Sequence, residues 1–478
     1  MKYETVIGLE VHAELATETK IYCSCANQFG GDTNTRCCPV CVGLPGSLPV
    51  LNARVVEYAI LAGLAMHCNI AEQCKQDRKN YFYPDLPKAY QISQFDIPLC
   101  ADGYVEIDID EATKRIGITR IHIEEDAGKL LHAEGGNFSL VDYNRGGVPL
   151  IEIVSEPDMR SPEEAAAYLE TIKSILQAIG VSDCKMQEGS LRCDINVSVR
   201  PEGQKEFGVR SECKNVNSFR AAVRAIRYER DRQIAVLEAG GVVEQETRRW
   251  DDAKGESYVM RSKEEAHDYR YFPEPDLMPI HVDAAWVERL RKTLPELPQE
   301  KKRRYKSDFD LPDYDAGLLG ASVGLATIFE ATVTEGAKPK LVSNWLLGDI
   351  SKILNEKGIE ATEIPFDGKA LFELLAFIEN GTITGTIAKQ VLPKMFDEGK
   401  SAKQIVEEEG LAQINDEGAI ASLIQEVLAA NEAAVQDFRS GKDRAIGFLT
   451  GQVMRASKGK ANPGVIQAKL REALDAVK

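Results

Sequence analysis

Hydrophobic spacing changes once along this 478-residue chain, near Pro295 and Pro298, and no fold built from one kind of element satisfies both sides. Before the change, apolar and polar residues alternate. In Tyr3 to Leu15, the residues Tyr3, Thr5, Ile7, Leu9 and Val11 fall on one face and Glu4, Glu10, His12 and Glu14 on the other, the period of a strand with one buried side. Residues 103–110, 114–124, 148–154 and 191–199 read the same way. Helices with clear starts lie between them. Ser161-Pro162-Glu163-Glu164 reads as a capping box with Pro in the first turn, followed by a helix to Ile179 and a Gly180 stop. Asn217-Ser218 opens a second helix that runs to Gly240-Gly241. After Pro298 the chain reads as helices joined at polar turns such as Gly381-Thr382-Ile383-Thr384 and Gly399-Lys400-Ser401-Ala402. The expected class is α+β: a mixed α/β domain over 1–293, an all-α domain over 294–405 and a small helical tail domain over 406–478.

Charge is segregated as well. With 58 Lys plus Arg against 75 Asp plus Glu, the net charge is −17, which taken alone argues against a nucleic-acid partner. Residues 404–438, however, hold eight acids and no Lys or Arg, while residues 439–478 hold nine bases against three acids. The last forty residues are thus +6, a basic module hidden by the global figure. Arg455, Lys458 and Lys460 are its candidate phosphate contacts. No apolar run approaches the ~18–20 residues of a membrane span. The N-terminal MKYETVIGLEVHAEL lacks the pattern of a signal peptide, so a cytoplasmic protein is expected.

Eleven cysteines in such a chain suggest reduced thiols or metal ligands rather than disulfides. Cys23-Ser24-Cys25 and Cys38-Pro39-Val40-Cys41 form two short knuckles across a loop, and four thiolates suit a closed, structural zinc site. Cys37 competes as a substitute ligand, and plain structural thiols are the bland alternative.

A second constellation is acidic. Glu10 and His12 share a strand face; Glu124-Glu125-Asp126 end another strand; Glu152 sits inside the apolar run Pro149–Glu156; Arg192, Asp194, Asn196 and Ser198 share one face of a fourth strand. An acid within an apolar strand is costly unless paired or metal-bound. Carboxylates with an imidazole suit Mg²⁺ and its phosphates. Ordinary solvated sheet faces are the competing reading. Asp77 to Pro87 joins Arg78 and Lys79 to Tyr81, Phe82 and Tyr83, either an adenine and phosphate contact or a packed loop. No Walker loop is present, because Lys394 stands where the first Gly belongs before Gly399-Lys400-Ser401. There is no Ser-Ser-Lys amidase pattern, and residue 2 is Lys rather than a nucleophilic Cys, so the chain has no apparatus for releasing ammonia.

Several longer stretches are recognisable together: Val6–His12, Asp77–Pro87, Tyr90–Gln94, Glu124–Lys129, Asp142–Arg145, Glu188–Asp194 and Asp268–Asp276, with Gly447–Met454 and Ala456–Pro463 in the tail. They closely resemble the B subunits of bacterial tRNA-dependent amidotransferases, the aspartyl/glutamyl-tRNA(Asn/Gln) amidotransferase GatCAB, over essentially the whole chain. The resemblance implies a cradle-like N-terminal domain, a helical domain and a YqeY-like tail. It implies ATP-dependent phosphorylation of the side-chain carboxylate of Glu-tRNA(Gln) or Asp-tRNA(Asn), followed by amidation. The ammonia would come from the amidase (glutaminase) partner, GatA, in a heterotrimer completed by the small partner GatC. ATP, Mg²⁺ and structural zinc are the implied cofactors. By the same resemblance His12, Glu125 and Glu152 are the first choice for Mg²⁺ ligands, with Glu10 close by. Asp194 and Asn196 line the same pocket, and Lys79 and Tyr81 contact ATP or the tRNA terminus. The rival from another class is a non-catalytic, zinc-bearing tRNA scaffold; a self-sufficient ammonia-using ligase is a second.

Overall fold

Tyr3–Glu14, here β1, forms the middle of a nine-stranded sheet. The computed structural model describes residues 2–109, 112–132, 136–262, 268–412, 417–439, 444–457 and 463–476. The other strands of this sheet are β2 (Asn69–Ile70), β3 (Cys100–Ile109), β4 (Ala112–Glu125), β5 (Pro149–Ser155), β6 (Leu191–Pro201), β7 (Ser211–Val216), β8 (Glu246–Asp251) and β9 (Glu256–Ser262). Their order is β9-β8-β7-β6-β1-β5-β4-β3-β2. Every pair is antiparallel except β7–β8. A parallel pair needs a crossover, and the chain supplies one in a helix, Phe219–Glu238.

Alternation decides which face is covered. Ile7, Leu9, Val11 and Ala13 of β1 join Ile121, Ile123, Ile151, Ile153, Cys193, Ile195 and Val197 in one continuous core. Three helices complete that core: α1 (Ala53–Ala65), α2 (Pro162–Ala178) and α3 (Phe219–Glu238). Each buried aliphatic contributes about 1.5–3 kcal/mol, so a one-residue slip of any strand would be prohibitive. The opposite face is thereby fixed to carry Glu10, His12, Glu152 and their neighbours. Ser161 caps α2 by accepting from Glu164 N at 3.1 Å, as expected. The reciprocal half of the capping box is replaced: Glu164 Oε2 accepts from Arg160 N at 2.7 Å.

A small sheet places Asp77–Asn80 between Tyr90–Ser93 and Phe272–Pro273. Arg78 secures it through two bonds to Glu274, of 2.6 and 2.8 Å.

The chain divides into two compact units, Met1–Leu297 and Pro298–Lys478. Among the described residues no strand follows Ile280–His281. In the second unit, Thr384 caps Gly385–Glu398, and Ser401 with Gln404 forms a true capping box on Ala402–Glu408. One set of buried side chains, including Phe329, Leu374 and Val391, runs from Tyr305 to Val406. A separate set, including Ile424, Leu449 and Leu470, packs the helices between Glu417 and Ala476. No single described helix is long and apolar enough to cross a membrane.

Candidate active site

Three adjacent strands bring the acidic constellation together. His12 on β1 lies opposite Glu152 on β5, and Glu152 lies opposite His122 on β4, so one row across the sheet reads His12, Glu152, His122. Glu124, two residues beyond His122, points to the same face. His12 Nε2 is 3.3 Å from Glu152 Oε2 and 3.5 Å from Glu124 Oε1. His122 Nε2 is 3.4 Å from Glu152 Oε2 and 3.7 Å from Glu124 Oε2. Donor atoms of His12, Glu124 and Glu152 all lie within 4.8 Å of one another.

The electrostatics follow from this packing. Burial opposes charging His12, but its hydrogen bond to Glu152 and the charges of Glu124 and Glu152 win, and its pKa rises. His122 behaves likewise and is pushed up to about 9. Burial also disfavours the Glu152 carboxylate, yet the two histidines hold its pKa well below the usual range. Glu124 is lowered against its own burial by His122 and His12. The cluster is thus an assembly of ion pairs buried on the open face of the sheet.

A second acidic group adjoins it, made of Glu10, Asp194 and Glu212. Glu10 lies opposite Asp194 in the β1–β6 register. Lys214 on β7 pairs with Asp194 and, at 2.8 Å, with Glu212. Burial, then the charges of Glu152 and Glu212, raise the Glu10 pKa, although Asn196 Nδ2 donates to its Oε1 at 3.0 Å. Both groups line one cavity of about 400 Å³, together with Lys79, Arg120, Tyr269 and Tyr271. Lys79 Nζ faces the Tyr269 ring at 4.9 Å and makes no ion pair among the described residues. Phe95 stacks on Tyr271 at 4.2 Å near the rim.

Of the residues singled out from sequence, Glu10, His12, Lys79, Glu152 and Asp194 line this cavity; Asn196 touches Glu10 from an adjoining hollow. Tyr81 is outside the lining and meets Tyr269 edge-on at 5.9 Å. Glu125 requires a correction. It lies on the other side of β4 from His122 and Glu124, because side chains alternate along a strand. There it pairs with Lys88 and accepts from Ile92 N at 2.9 Å. The carboxylate beside His12 and Glu152 is Glu124. Sequence reading also passed over His122, Arg120, Glu212, Lys214, Tyr269 and Tyr271. For His122 and Glu124 the signal was present, since they alternate with Ile121 and Ile123. For Glu212 and Lys214 no local pattern marks the strand that carries them.

The sulfur atoms of Cys23, Cys25, Cys38 and Cys41 also lie within 4.8 Å of one another. The Cys23 hydrogen bond, the Cys38 backbone N–H at 3.0 Å and nearby Lys20 bring the Cys41 thiol down to about 4, against its burial. Lys20 is wholly buried and donates to the carbonyls of Arg36 and Tyr143 at 2.9 and 3.2 Å. Cys37 is outside the group and faces the side-chain oxygens of Asn34 and Asn144. No cysteine forms a disulfide. Four thiols so placed fit a tetrahedral metal ion with no open position. In the tail, Arg455 is exposed on the helix Arg444–Ala456, whereas Lys458 and Lys460 lie outside the described residues.

Known proteins share this layout end to end. Residues 5–288 match the family described as GatB/GatE catalytic domain, and residues 327–474 match the one described as GatB domain. The B subunit of the aspartyl/glutamyl-tRNA(Asn/Gln) amidotransferase from Caldicellulosiruptor bescii is 60% identical over 480 residues, covering 100% of both chains. That of Thermoanaerobacter pseudethanolicus is 60% identical over 474 residues, covering 99% of this chain and 100% of its own. That of Moorella thermoacetica is 57% identical over 476 residues, with the same coverage. With two family matches spanning both units and relatives this similar over their full length, the chain belongs to the GatB family of tRNA-dependent amidotransferases.

Proposed function

We propose that this chain activates a carboxylate. It transfers the γ-phosphoryl group of ATP to the side-chain carboxylate of Glu-tRNA(Gln), Asp-tRNA(Asn) or both. The observation that carries this reading is the joining of His12, Glu124 and Glu152 to Glu10, Asp194, Lys79 and Lys214 around one cavity. A carboxylate has no leaving group of its own. Its oxygen attacks the γ-phosphorus, the bond to ADP oxygen breaks, and an acyl phosphate forms. Ammonia then attacks the acyl carbon, the carbon–oxygen bond to phosphate breaks, and the nitrogen sheds a proton to leave the amide.

In such chemistry the protein mainly positions and neutralises. His12, Glu124 and Glu152 would hold Mg²⁺, one imidazole and two carboxylates being a suitable donor set. When bound, that ion supplies charge to offset the moving phosphoryl group. Lys79, with no carboxylate partner among the described residues, is placed to meet phosphate oxygens. Lys214 holds Asp194 and Glu212 in place beside Glu10. Glu125, committed to Lys88, supports the loop that carries Tyr90–Ser93 rather than the reacting groups.

The four-cysteine group is assigned a structural zinc on the strength of its all-sulfur donor set. Ammonia comes from a glutaminase partner, GatA, with the small GatC completing a cytoplasmic heterotrimer. The relatives' names support this, since each describes one lettered component of a larger amidotransferase. Arg455, Lys458 and Lys460 of the tail contact the tRNA backbone. The test is an amidation assay of the complete complex with ATP, glutamine and each mischarged tRNA, with hydroxylamine added to trap acyl phosphate as hydroxamate. Hydroxamate that depends on ATP and mischarged tRNA is expected. Amide formation without ATP consumption would leave only the scaffold reading.

A further inference from the structure

A second hollow opens beside the acidic cavity, and it arises where two strands part. β1 keeps unbroken register with β6 from Tyr3 to Ala13. With β5 it pairs only from Glu14 to Glu10, ending opposite Val154. Beyond that point Leu9 N donates to Ser155 Oγ at 2.9 Å instead of to a backbone carbonyl, and pairing resumes at Ile7 with Met159. Four residues thus bow away opposite Gly8 and Leu9. The result is a slot of about 220 Å³ walled by Val6, Gly8, Pro157 and Phe207, with Ser155, Asn196 and Ser198 among its polar groups. Glu10 lines this slot and the acidic cavity alike.

Two glycines make the slot. Gly8 is on the same face as Glu10, and a Cβ there would sit 3.8 Å from Pro157 Cα and 3.9 Å from Ser155 Oγ. A methyl group is therefore tolerated, whereas a branched side chain fills the space. Gly208 lets the loop after β6 press on its own strand, since a Cβ there would fall 2.1 Å from Val199 O. That loop carries Phe207, 58% exposed at the slot. An apolar slot with a few polar groups, continuous with a charged cavity, suits a ligand that has a flat heterocycle at one end and phosphates at the other.

We propose that this slot holds the purine base of the phosphoryl donor, Gly8 leaving room for the ring and Phe207 covering it, so that the phosphates run past Glu10 into the acidic cavity. The inference rests on the carboxylate-kinase reading above. The competing seat for the base is the aromatic rim of Phe95, Tyr269 and Tyr271.

The test uses the complete amidotransferase complex. Gly8→Val and Phe207→Ala should each raise the KM for ATP by about tenfold or more, with kcat falling far less and the KM for mischarged tRNA unmoved. Gly8→Ala should shift it much less. Photolabelling with 8-azido-ATP should mark peptides containing Pro157 or Phe207. Label on peptides containing Phe95 or Tyr269–Tyr271 would overturn the assignment, even if Gly8→Val failed to fold. Unchanged KM for ATP in Phe207→Ala and Gly8→Val, alongside loss of ATP-dependent chemistry in Glu152→Gln, would sink the slot and leave the kinase reading standing. Full amidation by Glu152→Gln would instead remove that reading itself.

Discussion

Two clusters of buried charge in the N-terminal unit show what separates a structural network from a working one. On the helix side, Glu229 of α3 is fully buried and holds Arg232 by bonds of 3.2, 3.0 and 2.5 Å. It also accepts from Gln233 at 3.0 Å and lies 3.5 Å from Arg248 of β8. Arg248 continues to Ser257 of β9 at 2.8 Å, so the network ties the crossover helix to the strands it serves. Both carboxylate oxygens are taken. On the open side, Glu152 and Glu124 are also buried, yet their partners are two imidazoles at longer distances, and Glu152 lines a cavity. A closed network stabilises a fold; one with unfilled coordination beside a cavity is available for chemistry. Substitutions should divide along that line.

The largest effect belongs to the open cluster. Glu152→Gln and Glu124→Gln should each reduce ATP-dependent amidation by about 10³-fold, since losing a ligand's charge at the phosphoryl group costs several kcal/mol and each ~1.4 kcal/mol is tenfold in rate. Folding, zinc content and the partner's glutaminase activity should persist. Glu125→Gln should leave the phosphoryl step far closer to wild type. Steady-state amidation by the complex, with circular dichroism as the folding control, decides it. If Glu125→Gln proved as inactive as Glu124→Gln, the assignment of Glu124 over Glu125 would fail.

The closed cluster should respond in stability instead. Glu229→Gln leaves Arg232 and Arg248 buried without their anion, which costs about 3–5 kcal/mol in comparable networks. Burial opposes ionisation of Glu229, but its bonds from Arg232 and Gln233 outweigh this and lower its pKa. A depressed carboxylate contributes stability above its unfolded value of about 4.3, and that contribution is lost as pH falls through the folded value. Urea midpoints of the wild type should therefore drop on acidification below about pH 4.3, and the Glu229→Gln midpoints should drop less. Equal acid sensitivity in both would show that the network does not govern acid unfolding. Activity per folded molecule should be little changed.

The same contrast explains what the sequence could reveal. Strand alternation announced β1, β4, β5 and β6 and which of their faces is covered, because aliphatic burial on one side leaves little choice. Read strictly, that rule also selects Glu124, since Ile121 and Ile123 must face the helices and Glu125 follows them. The run of three acids hid the point. Glu212 and Lys214 were not legible, because β7 has its place only through the crossover of α3 and pairing with β6. The slot beside Gly8 was equally hidden, since a gap between strands leaves no composition signal. Knuckle spacing, by contrast, brought out the four cysteines and left Cys37 aside only once coordinates placed it.

The cysteine group offers a further test, because its all-sulfur donor set places it with the closed networks. Purified protein should carry stoichiometric zinc by elemental analysis, and replacing Cys23, Cys25, Cys38 and Cys41 together by Ser should bring it to near zero. The consequence should be local. Asn34 in the same loop bonds Val141 and Tyr143 at 2.9 and 2.7 Å, so hydrogen exchange should rise there and in residues 139–144. Phosphoryl transfer should fall less than in Glu152→Gln. A loss of rate as large as in Glu152→Gln, with exchange unaltered, would place the cysteines among the working groups.

Exposed charge gives the smallest effect and carries the rule to its limit. Arg455 is in solvent at the end of its helix, with neither burial nor a cavity to amplify it. Its value to binding comes from releasing counterions at an RNA phosphate, and each such contact contributes about one unit to the slope of log affinity against log salt. Arg455→Ala should therefore lower that slope for tRNA by about one, weaken binding modestly at low salt and leave kcat alone. Deleting residues 406–478 should remove the tail's whole share of the slope, raise the KM for mischarged tRNA and spare both the zinc and the glutaminase step. Filter binding across a salt series separates the outcomes. If the truncated complex bound tRNA with the wild-type affinity and slope, the +6 segment would be only a solvated helical surface, and the tRNA contacts would have to be sought in the N-terminal unit.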